Sequence, residues 1–338
     1  MTEAAVVETA RVRSLLAWFP SLPRQVELQP LGNHGGFSGA RLWRLQSEER
    51  AWCLRAWPPS GIDLSSLARI HAWMRAARSS GCPFVPQLLT TASQETCVSF
   101  QGRAWEISEW LPGEADFHRD PTAARIRAAV TALARLHASW AAARQQAPSC
   151  PAVARRWTAC HDWLRLLQAG WKPRFTEPFD PASTWAERAW RVVPPLMAQL
   201  PDALRPWLRY PVAVQPCLCD IWHAHVLFIG DTVTGIVDYG SMKTDHVAVD
   251  LARMLGSLAG ENRGLWTVGL ETYRSLRRLS AEEEELVNVL DRSGTVIGAA
   301  NWLRWLYHEQ RFYPNRQQVA ARLASLVERL ECWLEQMR

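Results

Sequence analysis

The dominant hydrophobic period of this chain shifts at Trp110-Leu-Pro-Gly113, and that shift narrows the possible folds more than any single residue does. Before it, short runs alternate apolar and polar side chains with period two. After it, apolar residues recur every three or four positions. Val26 and Leu28 begin an alternating stretch, residues 40–45 and 51–57 read as strands around the polar turn 46–50, and 96–100 and 103–110 flank the hairpin signal Gln101-Gly102. One helix is predicted over 64–79, with Leu67, Ile70, Trp73 and Met74 at helical spacing. Another is predicted over 4–18, stopped by Pro20 and Pro23.

Beyond the switch, Asp120-Pro121 reads as a helix start, because Asp caps and Pro suits the first helical position. Helical patterns follow at 122–143, 154–168, 184–199 and 247–259, then from 282 to the end, where Ser280 and Glu283 fit a capping box. A β-rich island at 212–240 interrupts them, with a hairpin 225–229/232–238 turning at Gly230-Asp231. The pattern predicts an α+β chain: a small β-rich lobe over 1–110 and a larger helical lobe over 111–338. Two such lobes make a cleft between them, where ligands commonly bind.

Composition excludes several classes. With 48% hydrophobic and 21% charged residues the chain is neither disordered nor fibrous. No run approaches about 18 apolar residues, so no membrane span is expected. Glu3 and Glu8 precede the first short apolar stretch, unlike the basic start of a secretory signal, which points to the cytoplasm. Of the 38 basic residues only Lys172 and Lys243 are lysines. The arginines are scattered and the net charge is a mild +5, so the concentrated basic patch of a nucleic-acid surface is missing. Eight cysteines spread along the chain without a C-x-x-C repeat read as reduced, mostly buried thiols.

Three places can carry chemistry. The glycine-rich run Leu31–Gly39 can bring backbone N–H groups to phosphates, although an ordinary hairpin turn satisfies it equally. Arg55, in Cys53-Leu-Arg-Ala-Trp57, is the next basic residue on a strand. Asp220 lies in a loop after a strand, and Asp238 ends the following hairpin as Val237-Asp-Tyr-Gly240. One carboxylate to take a hydroxyl proton and a second to hold a divalent cation are what phosphoryl transfer requires. Single Asp residues at strand ends also form turns, so it is the pair that carries the reading.

Together these segments resemble the aminoglycoside phosphotransferase/choline kinase-like family, a branch of the protein-kinase-like two-lobed fold. Asp220-Ile-Trp-His-Ala-His-Val-Leu-Phe228 is similar to that family's catalytic loop, and Gly235-Ile-Val-Asp-Tyr-Gly240 to its metal-binding segment. Glu109-Trp-Leu-Pro-Gly113 resembles its hinge, and Leu133-Ala-Arg-Leu-His137 its helical L-A-x-L-H signature. The resemblance spans roughly residues 28–260. It implies an ATP-dependent phosphotransferase acting on a hydroxyl of a small molecule, with Asp220 as catalytic base and Asp238 as ligand of Mg²⁺. Gly35, Gly36 and Ser38 would cover the phosphates, Arg55 would pair with them, and Glu106 to Trp110, including Glu109, would lie along the adenine.

The departures are concentrated in the same site. Arg55 stands where the family has a lysine, and residues 56–94 supply no helical Glu to pair with it, His71 occupying that helix. Leu218 replaces the first His of the loop, and His225 replaces the Asn that holds the second metal. An imidazole there shifts preference from Mg²⁺ toward Mn²⁺. A catalytically silent nucleotide-binding or scaffold protein on the same fold is the alternative. A third reading takes Cys217, Cys219, His223 and His225 as a transition-metal site, since alternation along an extended strand would put each pair on one face. Lys243 could replace the missing phosphate-binding charge, or be a plain surface lysine. No partner beyond a small-molecule acceptor is expected, neither nucleic acid nor membrane, and oligomeric state is not readable.

Overall fold

The computed structural model describes residues 12–32, 39–175 and 180–336. The chain forms two compact units. One lies within Met1–Asp116 and includes Ala224–Gly240; the other comprises Phe117–His223 and Ser241–Arg338.

The first unit is built on a five-stranded antiparallel sheet of order β1-β2-β3-β5-β4: β1 Glu27–Gly32, β2 Arg41–Gln46, β3 Ala51–Ala56, β4 Cys97–Phe100 and β5 Arg103–Glu109. Alternation drives it. Trp52, Leu54 and Ala56 of β3 are buried while Cys53 and Arg55 face the other way. The buried set meets Trp43, Leu45, Trp105 and Ile107 from neighbouring strands. Each such side chain is worth about 1.5–3 kcal/mol of burial. Trp43 and Trp105 stack with centroids 5.4 Å apart, so part of the high tryptophan content is core. Helix α1, Leu64–Ser79, starts at Asp63, whose carboxylate accepts from the Ser66 N–H, and buries Leu67, Ile70, His71 and Met74. A helical turn at residues 12–16 adds Val12 and Leu15 to the core; the rest of the helix predicted over 4–18 lies largely outside the described residues.

The hairpin of β8 (Val226–Ile229) and β9 (Thr232–Ile236) belongs to this unit, turning at Gly230-Asp231 as its sequence requires. Phe228 and Glu114 exchange both backbone hydrogen bonds, and the Ile236 N–H donates to the Phe84 carbonyl at 2.8 Å. Gly113 makes the first approach possible: its φ is +104°, and a Cβ there would come within 2.8 Å of the Phe228 carbonyl oxygen.

The second unit holds a small sheet of order β10-β7-β6, with β6 Gln145–Ala147, β7 Val212–Cys217 and β10 Lys243–Asp245. Its helices are α2 Ala123–Ser139, α3 Pro151–Gln168, α4 Ser183–Leu204, α5 Ala248–Leu258, α6 Arg263–Leu276, α7 Ala281–Tyr307 and α8 Arg316–Gln336. Several boundaries differ from expectation. The cap of α2 is Thr122, accepting from the Arg125 N–H, rather than Asp120. Helix α4 runs through Pro194, Pro195 and Pro201, because its buried face continues through Met197, Leu200 and Leu204. The single helix expected from residue 282 is two helices, parted at Pro314-Asn315, and α6 lies where the pattern predicts no helix. The Ser280–Glu283 capping box forms as expected. All eight cysteines are free thiols. Among the described residues, no helix is long and apolar enough to cross a membrane.

Candidate active site

In the first unit, the register of β3 against β5 sets Arg55 opposite Glu106. Arg55 Nε lies 3.6 Å from Glu106 Oε1, and its Nη1 donates to Asp238 Oδ1 at 2.8 Å. The other oxygen of Glu106 lies 2.5 Å from His71 Nε2, while His71 Nδ1 is 2.8 Å from the Thr96 hydroxyl. The acidic partner of Arg55 therefore comes from the adjacent strand, and a helical histidine braces it from behind. Glu106 points its carboxylate into this cluster.

The electrostatics follow. Burial pushes the Glu106 carboxyl upward, but the His71 hydrogen bond and the His71 and Arg55 charges outweigh it and hold it below 4.5. Asp238 is likewise pushed up by burial, and the charges of Arg55 and His225 bring it below 3.8. Burial works against the Arg55 charge, yet Asp238 and Glu106 raise its pKa above the ordinary 12.5. The Cys53 thiol on the same strand is pushed to about 11, so it is protonated at neutral pH.

Asp238 adopts φ +64° directly after β9, its side chain 43% exposed. His225 Nε2 faces its second oxygen at 3.5 Å. Gly240 follows where any Cβ would collide with the Trp57 ring, and the Arg55 guanidinium lies 4.9 Å from that ring's centroid. A half-exposed carboxylate fits a divalent cation, since Mg²⁺ commonly takes only one or two protein carboxylates and completes its shell with phosphate and water. The adjacent imidazole makes the donor set mixed nitrogen and oxygen, which suits Mn²⁺ better.

Glu109 closes β5, with its carboxylate 2.8 Å from Arg78 Nη1 and accepting the Gln87 N–H. The Trp110 ring lies under the Arg44 guanidinium at 5.0 Å. Gly35, Gly36 and Ser38 lie outside the described residues.

In the second unit, β7 ends at Cys217 because the chain turns onto Asp250. This fully buried carboxylate accepts from the N–H of Leu218 at 2.7 Å and of Cys219 at 2.6 Å. Cys219 sits at φ +64°, and Asp220 follows it. His137 of the L-A-R-L-H segment supports Asp250 from below, with Nε2 at 3.1 Å and its Nδ1 2.6 Å from the Tyr273 hydroxyl of α6. Asp220 Oδ1 accepts from both Nε and Nη2 of Arg253 at 3.0 Å. Arg253 and Arg322 each lie over the Trp222 ring, Arg322 at 4.5 Å. Burial, then the Arg253 charge, push Arg322 down to about 9. This carboxylate therefore stands in a positively charged surrounding.

The transition-metal reading of Cys217, Cys219, His223 and His225 fails. Residues 218–222 form a loop and His223–His225 a 3₁₀ turn, so the strand alternation it needs does not exist. The Cys217 thiol donates to the Asp245 carbonyl and His223 engages the Ser257 hydroxyl. His137, Cys217 and Asp250 do bring ligand atoms within 4.8 Å of one another. Burial keeps that thiol protonated, and Asp250 is committed to backbone donors. Lys243 is exposed at the start of β10. Sequence reasoning missed Asp250, Arg253 and Arg322; the i, i+3 spacing of the first two on a short helix was the available signal.

Comparison with known proteins bears on the fold and the family. A homoserine kinase of Methylobacterium sp. (strain 4-46) is 29% identical over 232 residues, 65% of this chain and 63% of that protein. Another, from Rhizobium meliloti (strain 1021), is 33% identical over 82 residues, and the chain spans only 25% of its length. The crystal structure of spectinomycin phosphotransferase in complex with ADP and spectinomycin shares the fold, with a TM-score of 0.69 at 11% identity over 95% of this chain and 97% of that one. The model of the phosphotransferase enzyme family matches residues 29–286, from β1 through the β8–β9 hairpin and into α7, and the chain belongs to that family.

Proposed function

We propose that the chain transfers the γ-phosphoryl group of ATP to a hydroxyl of a small molecule in the cytoplasm. The observation that carries this reading is the 2.8 Å pair of Arg55 and Asp238, braced by Glu106 and His71. Although lysine is replaced, the strand cation still reaches the metal-ligand carboxylate, and a strand Glu stands in for the missing helical one. That spectinomycin phosphotransferase binds ADP on the same fold supports nucleotide as the donor.

Asp220 is the base in this reading. As the acceptor oxygen bonds to the γ-phosphorus and the bond to the departing ADP oxygen breaks, the hydroxyl proton passes to an Asp220 oxygen. Arg253 holds that carboxylate in place through two hydrogen bonds to one of its oxygens. Arg55 exchanges part of its contact with Asp238 for phosphate oxygens, which its planar fork binds well. Gly35, Gly36 and Ser38 cover the phosphates, and Glu109 and Trp110 flank the adenine. Asp238 with His225 would hold the divalent cation, which neutralises phosphate charge when bound.

Calorimetry of ATP with Mg²⁺ and then Mn²⁺ tests the reading. Binding that requires a divalent ion and is lost in Asp238→Ala, together with turnover lost in Asp220→Asn, is the expected result. Metal-dependent binding with no phosphoryl transfer to any acceptor would instead favour the silent nucleotide-binding reading, which the neutralisation of Asp238 by Arg55 and His225 makes physically reasonable. No binding with either metal would overturn both.

A further inference from the structure

A pocket of about 250 Å³ opens in the second unit beside Cys219, the residue immediately before Asp220. Helix α3 supplies Arg155 and Arg156 to its wall, and Val249 and Ile297 supply apolar surface from α5 and α7. The lining contains two guanidinium groups and no carboxylate. Val249 is one helical turn from Arg253, which grips Asp220, so the pocket and the proposed base are joined through both the loop and α5.

Arg156 is the unusual member. Burial is the main force lowering its pKa from the ordinary value; Cys150 and Asp245 oppose it, and Arg155 lowers it further. Among the described residues it has no hydrogen bond or ion pair. Asp291, one turn from the glycine beside it, is taken by Arg329 at 2.6 Å. Gly294 makes room for Arg156: a Cβ there would lie 3.1 Å from its Nη2. Arg155 is anchored by Asp245, leaving most of its five donors available. A partly buried guanidinium at a pocket wall, with no carboxylate hydrogen-bonded to it, presents its N–H fork to an anion that enters.

We infer that this pocket takes the oxyanion end of a small hydroxylated acceptor, with Arg156 and Arg155 as its ligands, so that the substrate is an anionic alcohol rather than a polycation. This rests on the phosphotransferase reading for the fate of the hydroxyl, but not for the binding. The volume lies below the range that holds drug-sized ligands, which favours a compact molecule. Arginine forks match carboxylate and phosphate oxygens in the same way, so both are tried.

The full chain is titrated in a calorimeter with 4-hydroxybutyrate, glycerol 3-phosphate, 4-hydroxybutyramide and 1-amino-2-propanol at constant ionic strength. At least one of the two anions is expected to bind about tenfold or more tighter than the amide and the amine. The anion preference disappears in Arg156→Met, with ATP binding and a cooperative melt retained as the check that the variant is folded. Ala159→Phe, which narrows the pocket, abolishes anion binding while melting temperature and ATP binding are retained. The inference is overturned if the amide or amine binds as tightly as both anions, or if either variant keeps the preference. Anion binding without phosphoryl transfer would leave the pocket intact and defeat the proposed function; transfer to neutral alcohols alone would do the reverse.

Discussion

His71 of α1 and Glu106 of β5 share a 2.5 Å contact in the interior of the first unit, and through it a helix that carries no acid still braces Arg55. Because Glu106 is held below its ordinary 4.5, its ionised form stabilises the folded state at pH above that value. That contribution is lost as pH falls through the folded pKa. Urea unfolding between pH 6 and pH 3 should therefore show a steep acid limb. In Glu106→Gln the limb becomes shallower, and an unchanged slope would contradict the cluster.

Arg55 balances two carboxylates, one of them partly exposed. Arg55→Met leaves Glu106 with His71 alone and Asp238 with His225 alone as compensating partner. It should cost about 2–3 kcal/mol, below the full penalty for a buried pair because Asp238 is 43% exposed. Arg55→Lys keeps the charge but not the fork, and should lie between the two in denaturant midpoint.

Asp250 is a positioning residue for the loop that carries Asp220. Asp250→Ala orphans the N–H groups of Leu218 and Cys219, each worth about 1–3 kcal/mol when buried and unsatisfied. The more telling variant is Asp250→Asn, which keeps an acceptor of the same shape. Turnover should fall while KM for ATP stays near the parent value; a parallel change in both would mean a purely structural role.

In the proposed site His225 would set the metal preference. With an imidazole 3.5 Å from Asp238 Oδ2, ATP should bind more tightly with Mn²⁺ than with Mg²⁺. His225→Asn restores an oxygen donor, and the Mn²⁺ to Mg²⁺ affinity ratio measured by calorimetry should drop. A ratio that does not move would remove His225 from the site.

Local rules determined much of this protein. Alternation over residues 40–57 and 96–110 is a statement about which side of a strand is buried, and the sheet follows it. Gly230-Asp231 specifies a hairpin, and Ser280 with Glu283 specifies a helix start. What the sequence could not express is which distant side chains meet. Nothing local tells that Glu106, read as part of an adenine-binding stretch, turns toward Arg55; strand register between β3 and β5 decides it. Nor does local pattern show that the strand stops at Cys217, because the carboxylate that ends it comes from Asp250, 32 residues after Leu218. The same holds for Arg156, ordinary among 36 arginines until packing beside Gly294 sets it with Arg155 at one pocket wall. Propensity and period are properties of neighbours along the chain, whereas charge compensation is a property of neighbours in space, and only the folded structure brings those together.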